Sequence, residues 1–150
     1  LLNKDVSPGL SDLISDKATL DEVVHSIQVD GSSFDVITRG QTPPNPSELL
    51  MHSHFEQLLA QLSDIYDLIL IDTPPVLAVT DPSIIGKHSG VTFMVVRSDQ
   101  HNIKEIQHAV SRLEKVGIET KGFVFNGYVA PKSGYGGYGY HSYYGDYKSD

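Results

Sequence analysis

Apolar residues recur along this chain in two rhythms. Unbroken runs occur at Leu68-Ile69-Leu70-Ile71 and at Phe123-Val124-Phe125, and the stretch from Gly90 to Val96 is interrupted only by Thr92. Short runs of this kind predict strands buried on both faces, as in a parallel sheet covered by helices. Between them, Leu49, Leu50, Phe55, Leu58, Leu59 and Leu62 follow three-four spacing, and so do Ile103, Ile106, Val110 and Leu113. That spacing predicts helices with one apolar stripe turned to the core. Asn45-Pro46-Ser47-Glu48 opens the first of these helices with a capping Asn and a proline at the first helical position. Asn102 opens the second, and Gly117 stops it.

The N-terminal part is less regular. Pro8-Gly9 predicts a turn, Leu10, Leu13 and Ile14 an apolar patch, and residues 1–30 a helical tendency. Thr19 and Glu22 have capping-box spacing ahead of Val23, Val24 and Ile27. Phe34 to Thr38 reads as a strand leaving through Arg39-Gly40, followed by a proline-bearing loop to Asn45. Asp81-Pro82 starts a short helix through Ile84 and Ile85. Strand and helix alternate, so the expected fold class is α/β, with a mostly parallel sheet, right-handed crossovers and helices on both faces.

The run at 68–71 ends in Asp72-Thr73-Pro74-Pro75. The prolines lack N–H donors and end the strand, leaving Asp72 at the carboxyl edge of the sheet, where open α/β sheets bind ligands. A carboxylate there suits Mg²⁺ facing nucleotide phosphates, directly or through water, as in a Walker B segment. An ordinary buried strand with a capping Asp has the same pattern. A phosphate-binding fold of this type also needs a glycine-rich loop, and no G-x-x-x-x-G-K-[ST] occurs in the chain.

Composition narrows the picture. The 150 residues suit one domain, and a net charge of −8 disfavours a basic field for nucleic acid. There is no cysteine, hence no disulfide framework and no thiol catalysis. No signal peptide or apolar run of membrane length is evident, so a role at a membrane would require an anchoring segment or partner outside this chain.

From Ser133 to Asp150 the chain holds six tyrosines and five glycines and no aliphatic residue. This composition does not repay ordering, so 133–150 is expected to be a flexible tyrosine-rich tail on a 1–132 domain. It could be a low-complexity adhesive tail or an aromatic platform for single-stranded nucleic acid, but the latter needs cations between the rings. Lys148 alone lies within the cluster, with Lys132 just before it. The sharper reading is a set of phosphate acceptors. Tyr66 and Tyr128, beside strands, read as packed. His52 and His54, two positions apart on a helix, face different ways and do not make a metal pair.

Arg39-Gly40, then Pro43-Pro44-Asn45-Pro46-Ser47-Glu48-Leu49-Leu50, Leu68 to Pro75, Thr80-Asp81 and the terminal tyrosine cluster together resemble the bacterial tyrosine kinases. The likeness is nearest the cytoplasmic kinase domain of the type that governs capsule and exopolysaccharide polymerisation and export, and it covers the chain from about Gly9. It implies a P-loop NTPase-like fold that moves the γ-phosphoryl of ATP to tyrosine with Mg²⁺. It implies Asp72 as the Walker B acid, Asn126 at the adenine ring, and Tyr135, Tyr138, Tyr140, Tyr143, Tyr144 and Tyr147 as acceptors. Asp81 is read as capping its helix near the phosphate edge. The first strand, the Walker A loop and a second acidic motif are placed upstream of Leu1, so the fragment alone is expected to be inactive. The resemblance further implies a ring-like homo-oligomer in which a tail enters the neighbouring subunit, a tyrosine phosphatase as partner, no nucleic acid, and a place at the cytoplasmic face of the bacterial inner membrane. Two other classes fit in part. A partition-type or septum-positioning P-loop ATPase shares the Asp72 strand, though the tyrosine-rich end argues against it. A non-catalytic adaptor phosphorylated by another kinase fits the chain as it stands.

Overall fold

A computed structural model describes residues 7–129. It begins with two short helices, α1 (Leu10–Ile14) and α2 (Leu20–Val23). The Thr19–Glu22 capping box forms, with the Thr19 amide donating to Glu22 Oε2 at 2.7 Å. The helical tendency expected beyond Val23 does not hold. Val24–Val29 is strand β1, paired antiparallel with β2 (Ser32–Ile37). Asp30 and Gly31 take φ of 48° and 82°, the two positive values that a tight hairpin turn requires. A capping box specifies where a helix starts; the Asp-Gly turn decides how soon it ends.

The exit of β2 receives α1. The Leu10 and Ser11 amides donate to the carbonyls of Thr38 and Arg39 at 2.8 and 3.0 Å. The Ser11 hydroxyl donates to the Gln41 carbonyl at 2.6 Å. So close an approach leaves no room for side chains. A Cβ on Gly9 would lie 2.5 Å from Thr38 O, and one on Gly40 would lie 2.7 Å from Asp12 Oδ2. Gly40 also has φ of 81°, which L residues rarely adopt. Gly40→Ala is expected to destabilise the fold by about 2–3 kcal/mol. Urea unfolding measures this, and a loss below about 1 kcal/mol would show that the junction yields.

The long apolar stripe is divided between α3 (Pro46–Leu50) and α4 (Ser53–Ser63). His52 breaks the helix with ψ of 144°, and its ring accepts from the His54 amide at 3.3 Å. The break lets α3 lie against α5 (Asp81–Ile85) while α4 packs on α1. Phe55, Leu58 and Leu62 are buried with Ile14 and Ile85, and Leu49, Leu50 and Leu59 pack around them. This cluster is the main core.

A 3₁₀ turn (Gly86–His88) leads to β3 (Thr92–Arg97), which crosses through α6 (Ile103–Glu114) to β4 (Thr120–Asn126). The two strands pair in parallel, Val95 opposite Val124 and Arg97 opposite Asn126. The Glu105 amide donates to Asn102 Oδ1 at 3.0 Å, and the Asn102 amide to Glu105 Oε2 at 3.1 Å. Gly117, φ 82°, follows the helix as expected. Ala109 and Leu113 are buried, but Ile103 in the first turn is exposed, against expectation.

Residues 68–71 carry the largest correction. No strand among the described residues pairs with them. Ile69 and Ile71 pack on the core cluster, whereas Leu68 and Leu70 are 83% and 91% exposed. The side chains alternate as in a strand, but only one face meets a second layer. Phe93, Val95, Phe123 and Phe125 are likewise exposed, not buried as expected. A single crossover helix on a two-stranded sheet does not cover both faces. Among the described residues no helix is long and apolar enough to cross a membrane.

Candidate functional site

Asp72 stands where the packed segment ends. Ile71 holds the chain to the core on one side, and Pro74-Pro75 restricts it on the other. The carboxylate is exposed and makes no hydrogen bond or ion pair with any described residue. All its lone pairs are therefore open to water or to hydrated cations. No cluster of three or more His, Cys, Asp or Glu suited to a metal occurs among the described residues. A single free carboxylate fits Mg²⁺, which keeps several waters and takes its other ligands from phosphates.

The loop after Asp72 is anchored from two directions. The Ala78 amide donates to the Pro75 carbonyl at 3.0 Å, closing a turn. Arg112 Nη1, from α6, donates to the Leu77 carbonyl at 3.3 Å. At the far end Ser47 Oγ lies 2.8 Å from both Thr80 Oγ1 and Asp81 Oδ1. Asp81 was expected to cap its helix. Instead Thr80 occupies the cap position, and Asp81 is the first helical residue, its carboxylate turned to Ser47.

Asn126 closes β4. Its carbonyl accepts from the Ser98 amide at 2.9 Å, and Gly127 turns the chain away with φ of 69°. The Asn126 residue is exposed. No hydrogen bond joins Asp72, Asp81 and Asn126 to one another. Tyr128, expected to be packed, is 62% exposed with its ring 5.9 Å from that of Phe125, because no other described element covers this end of β4. The acceptor candidates Tyr135, Tyr138, Tyr140, Tyr143, Tyr144 and Tyr147 lie outside the described residues.

Tyr66 is packed against the core and ties the hairpin to the end of α4. Its hydroxyl donates to Asp35 Oδ2 at 2.7 Å, and Asp35 accepts a second bond from the Ser26 hydroxyl. The Ser26 bond, then the Tyr66 bond, lowers the Asp35 pKa, while Asp35 raises that of Tyr66. A depressed carboxyl pKa contributes stability present at neutral pH and lost as pH falls through the folded-state value, below about pH 4. Hairpin protection factors from NMR amide exchange, corrected for the intrinsic pH dependence of exchange, should therefore fall on acidification in that range, and less steeply in Tyr66→Phe. An equally steep change in that variant would disconnect Tyr66 from the effect. His54 Nδ1 lies 3.1 Å from the Ile14 carbonyl oxygen and 3.3 Å from Asp16 Oδ2, linking α4 to the end of α1.

Ser47 and Arg112 are the residues that sequence reasoning missed at this site. The Asn-Pro-Ser-Glu helix start drew attention to Ser47, but its partners are 33 and 34 positions away.

The described residues form an α/β unit with a parallel β3–α6–β4 crossover and an exposed carboxylate, Asp72, after an apolar segment. No family profile matches the chain. All 150 residues align at 44% identity with the tyrosine-protein kinase Wzc of Salmonella typhimurium, spanning 20% of that protein. The tyrosine-protein kinase Etk of Escherichia coli K12 is 44% identical over 121 residues, 81% of this chain and 16% of its own length. Among solved structures, the kinase domain of the Escherichia coli tyrosine kinase ETK superposes with a TM-score of 0.81 and 41% identity. That match covers 93% of this chain and 54% of that domain. The BceF tyrosine kinase domain gives a TM-score of 0.69 at 49% identity, covering 79% and 48%. Over its full length the chain is thus similar to a portion of bacterial tyrosine-protein kinases, and its solved structural neighbours are tyrosine-kinase domains. The chain spans about one fifth of the curated relatives it matches.

Proposed function

We propose that the protein to which this chain belongs is an ATP-dependent tyrosine autokinase that regulates capsule or exopolysaccharide polymerisation and export. The observation that carries this reading is the alignment with Wzc over all 150 residues, the tyrosine cluster included. Asp72 holds a hydrated cation at the phosphates through its free carboxylate, and Asn126 contacts the adenine. When bound, Mg²⁺ neutralises charge on the transferred phosphoryl group. A tyrosine hydroxyl oxygen bonds to the γ-phosphorus as the bond to ADP breaks, and the hydroxyl proton is released. Tyr135, Tyr138, Tyr140, Tyr143, Tyr144 and Tyr147 supply that hydroxyl, presented to a neighbouring subunit of a ring, and a tyrosine phosphatase reverses the modification. The phosphate loop and the anchor to the inner membrane, at whose cytoplasmic face the kinase works, belong to segments outside this chain.

The test is incubation of the full-length protein with MgATP, followed by mass spectrometry. Phosphotyrosine on the 135–147 cluster is expected. Its absence from every tyrosine would overturn the reading.

A further inference from the structure

We propose that Ser47 and Arg112 are positioning residues that clamp the loop following Asp72 and so fix where its carboxylate points. The inference rests on the reading of Asp72 as the carboxylate that faces Mg²⁺.

Asp72 makes no bond of its own among the described residues, so its direction is set by the backbone on either side. On the strand side, Ile69 and Ile71 are packed. On the loop side, residues 73–80 have one internal backbone bond, from Ala78 to Pro75. Besides the α5 amides of Ser83 and Ile84, which donate to the Thr80 carbonyl, the hydrogen bonds that reach this loop from other elements join Arg112 to Leu77 and Ser47 to Thr80. Pro74 and Pro75 have fixed φ and only ψ left to turn, so they absorb little of a displacement of Val76 to Thr80. Such a displacement passes back to Thr73 and Asp72.

The Ser47 cluster has a determined direction. An ionised carboxylate only accepts, and a hydroxyl has one proton. Ser47 therefore donates to Asp81, and Thr80 donates to Ser47, each across 2.8 Å. The first bond is charge-assisted and the stronger of the two. Losing a bond of that class corresponds to about a tenfold change in an opening equilibrium.

Two readouts on the full-length protein test this, neither relying on phosphoryl transfer. Amide exchange at Ala78, Ser83 and Ile84 reports the clamp, because these amides bond to Pro75 and Thr80. The Mg²⁺ concentration that half-saturates binding of a fluorescent ATP analogue reports the aim of Asp72. Ser47→Ala is expected to speed exchange at these amides by about tenfold and raise the Mg²⁺ half-point by about three- to tenfold. Ser47→Thr, which keeps the hydroxyl, should remain close to wild type in both. Arg112→Met should speed exchange at Ala78 more than at Ser83, and Ser47→Ala should add little in an Asp81→Ala background. Unchanged exchange in Ser47→Ala overturns the clamp, and faster exchange with an unmoved Mg²⁺ half-point overturns the positioning role. Wild-type protein that binds nucleotide with Mg²⁺ but transfers no phosphate would sink the kinase reading alone. Wild type that binds no nucleotide would sink both.

Discussion

Asp72→Asn in the full-length protein is expected to cut autophosphorylation by about 100-fold or more, with little change in thermal stability. The two side chains are nearly isosteric, and the Asp72 carboxylate makes no hydrogen bond or ion pair with any described residue whose loss would disturb the fold. What the substitution removes is a negative charge at the end of a segment held by Ile69 and Ile71. Mg²⁺ binds hard anionic oxygen far better than a neutral amide, so the half-saturating Mg²⁺ concentration should rise with the loss of rate. Anti-phosphotyrosine blotting and a melting curve on the same preparation decide the matter. A wild-type signal would remove Asp72 from the mechanism, and a collapsed melting curve would make its role structural. Asp81→Asn offers a contrast. Its carboxylate bonds to Ser47 at the far end of the loop, so a smaller loss, of about threefold, is expected.

Replacing the six tyrosines between Tyr135 and Tyr147 with phenylalanine should remove nearly all phosphotyrosine, because phenylalanine keeps the ring and loses only the nucleophile. Transfer should also occur between molecules. The eighteen residues from Ser133 to Asp150 span at most about 60 Å when extended, and a flexible chain of that length averages roughly 25 Å end to end. Those distances reach an adjoining subunit but do not exclude the chain's own site, so reach alone is not decisive. Mixing an Asp72→Asn protein that retains its tail with an active protein lacking residues 133–150 separates the two routes. Phosphotyrosine on the tail-bearing, inactive partner is the expected result. If that partner stays unmodified while the intact wild type is phosphorylated, transfer is intramolecular.

Several features were legible because their causes are local. The Asn102–Glu105 box closes within one helical turn, and so does the Thr19–Glu22 box. That Asp72 ends an apolar run before two prolines was legible, but the sheet edge expected there was not found, since no described strand pairs with 68–71. The stripe from Leu49 to Leu62 identified the core-facing residues even though His52 divides the helix. The β1–β2 hairpin had a local signal as well, in Asp30-Gly31, which the capping box just before it overshadowed.

By itself, then, the sequence determined which side chains share a face, where helices start, and which carboxylate ends the apolar run. Tertiary structure alone decided whether each face is covered. Periodicity makes Leu68 and Leu70 as apolar as Ile69 and Ile71, yet only the latter pair meets a second layer. It also decided which distant groups meet: Ser47 with Thr80 and Asp81, Arg112 with Leu77, and Tyr66 with Asp35. Pattern encodes local geometry, whereas burial and long-range hydrogen bonds depend on how whole elements are brought together.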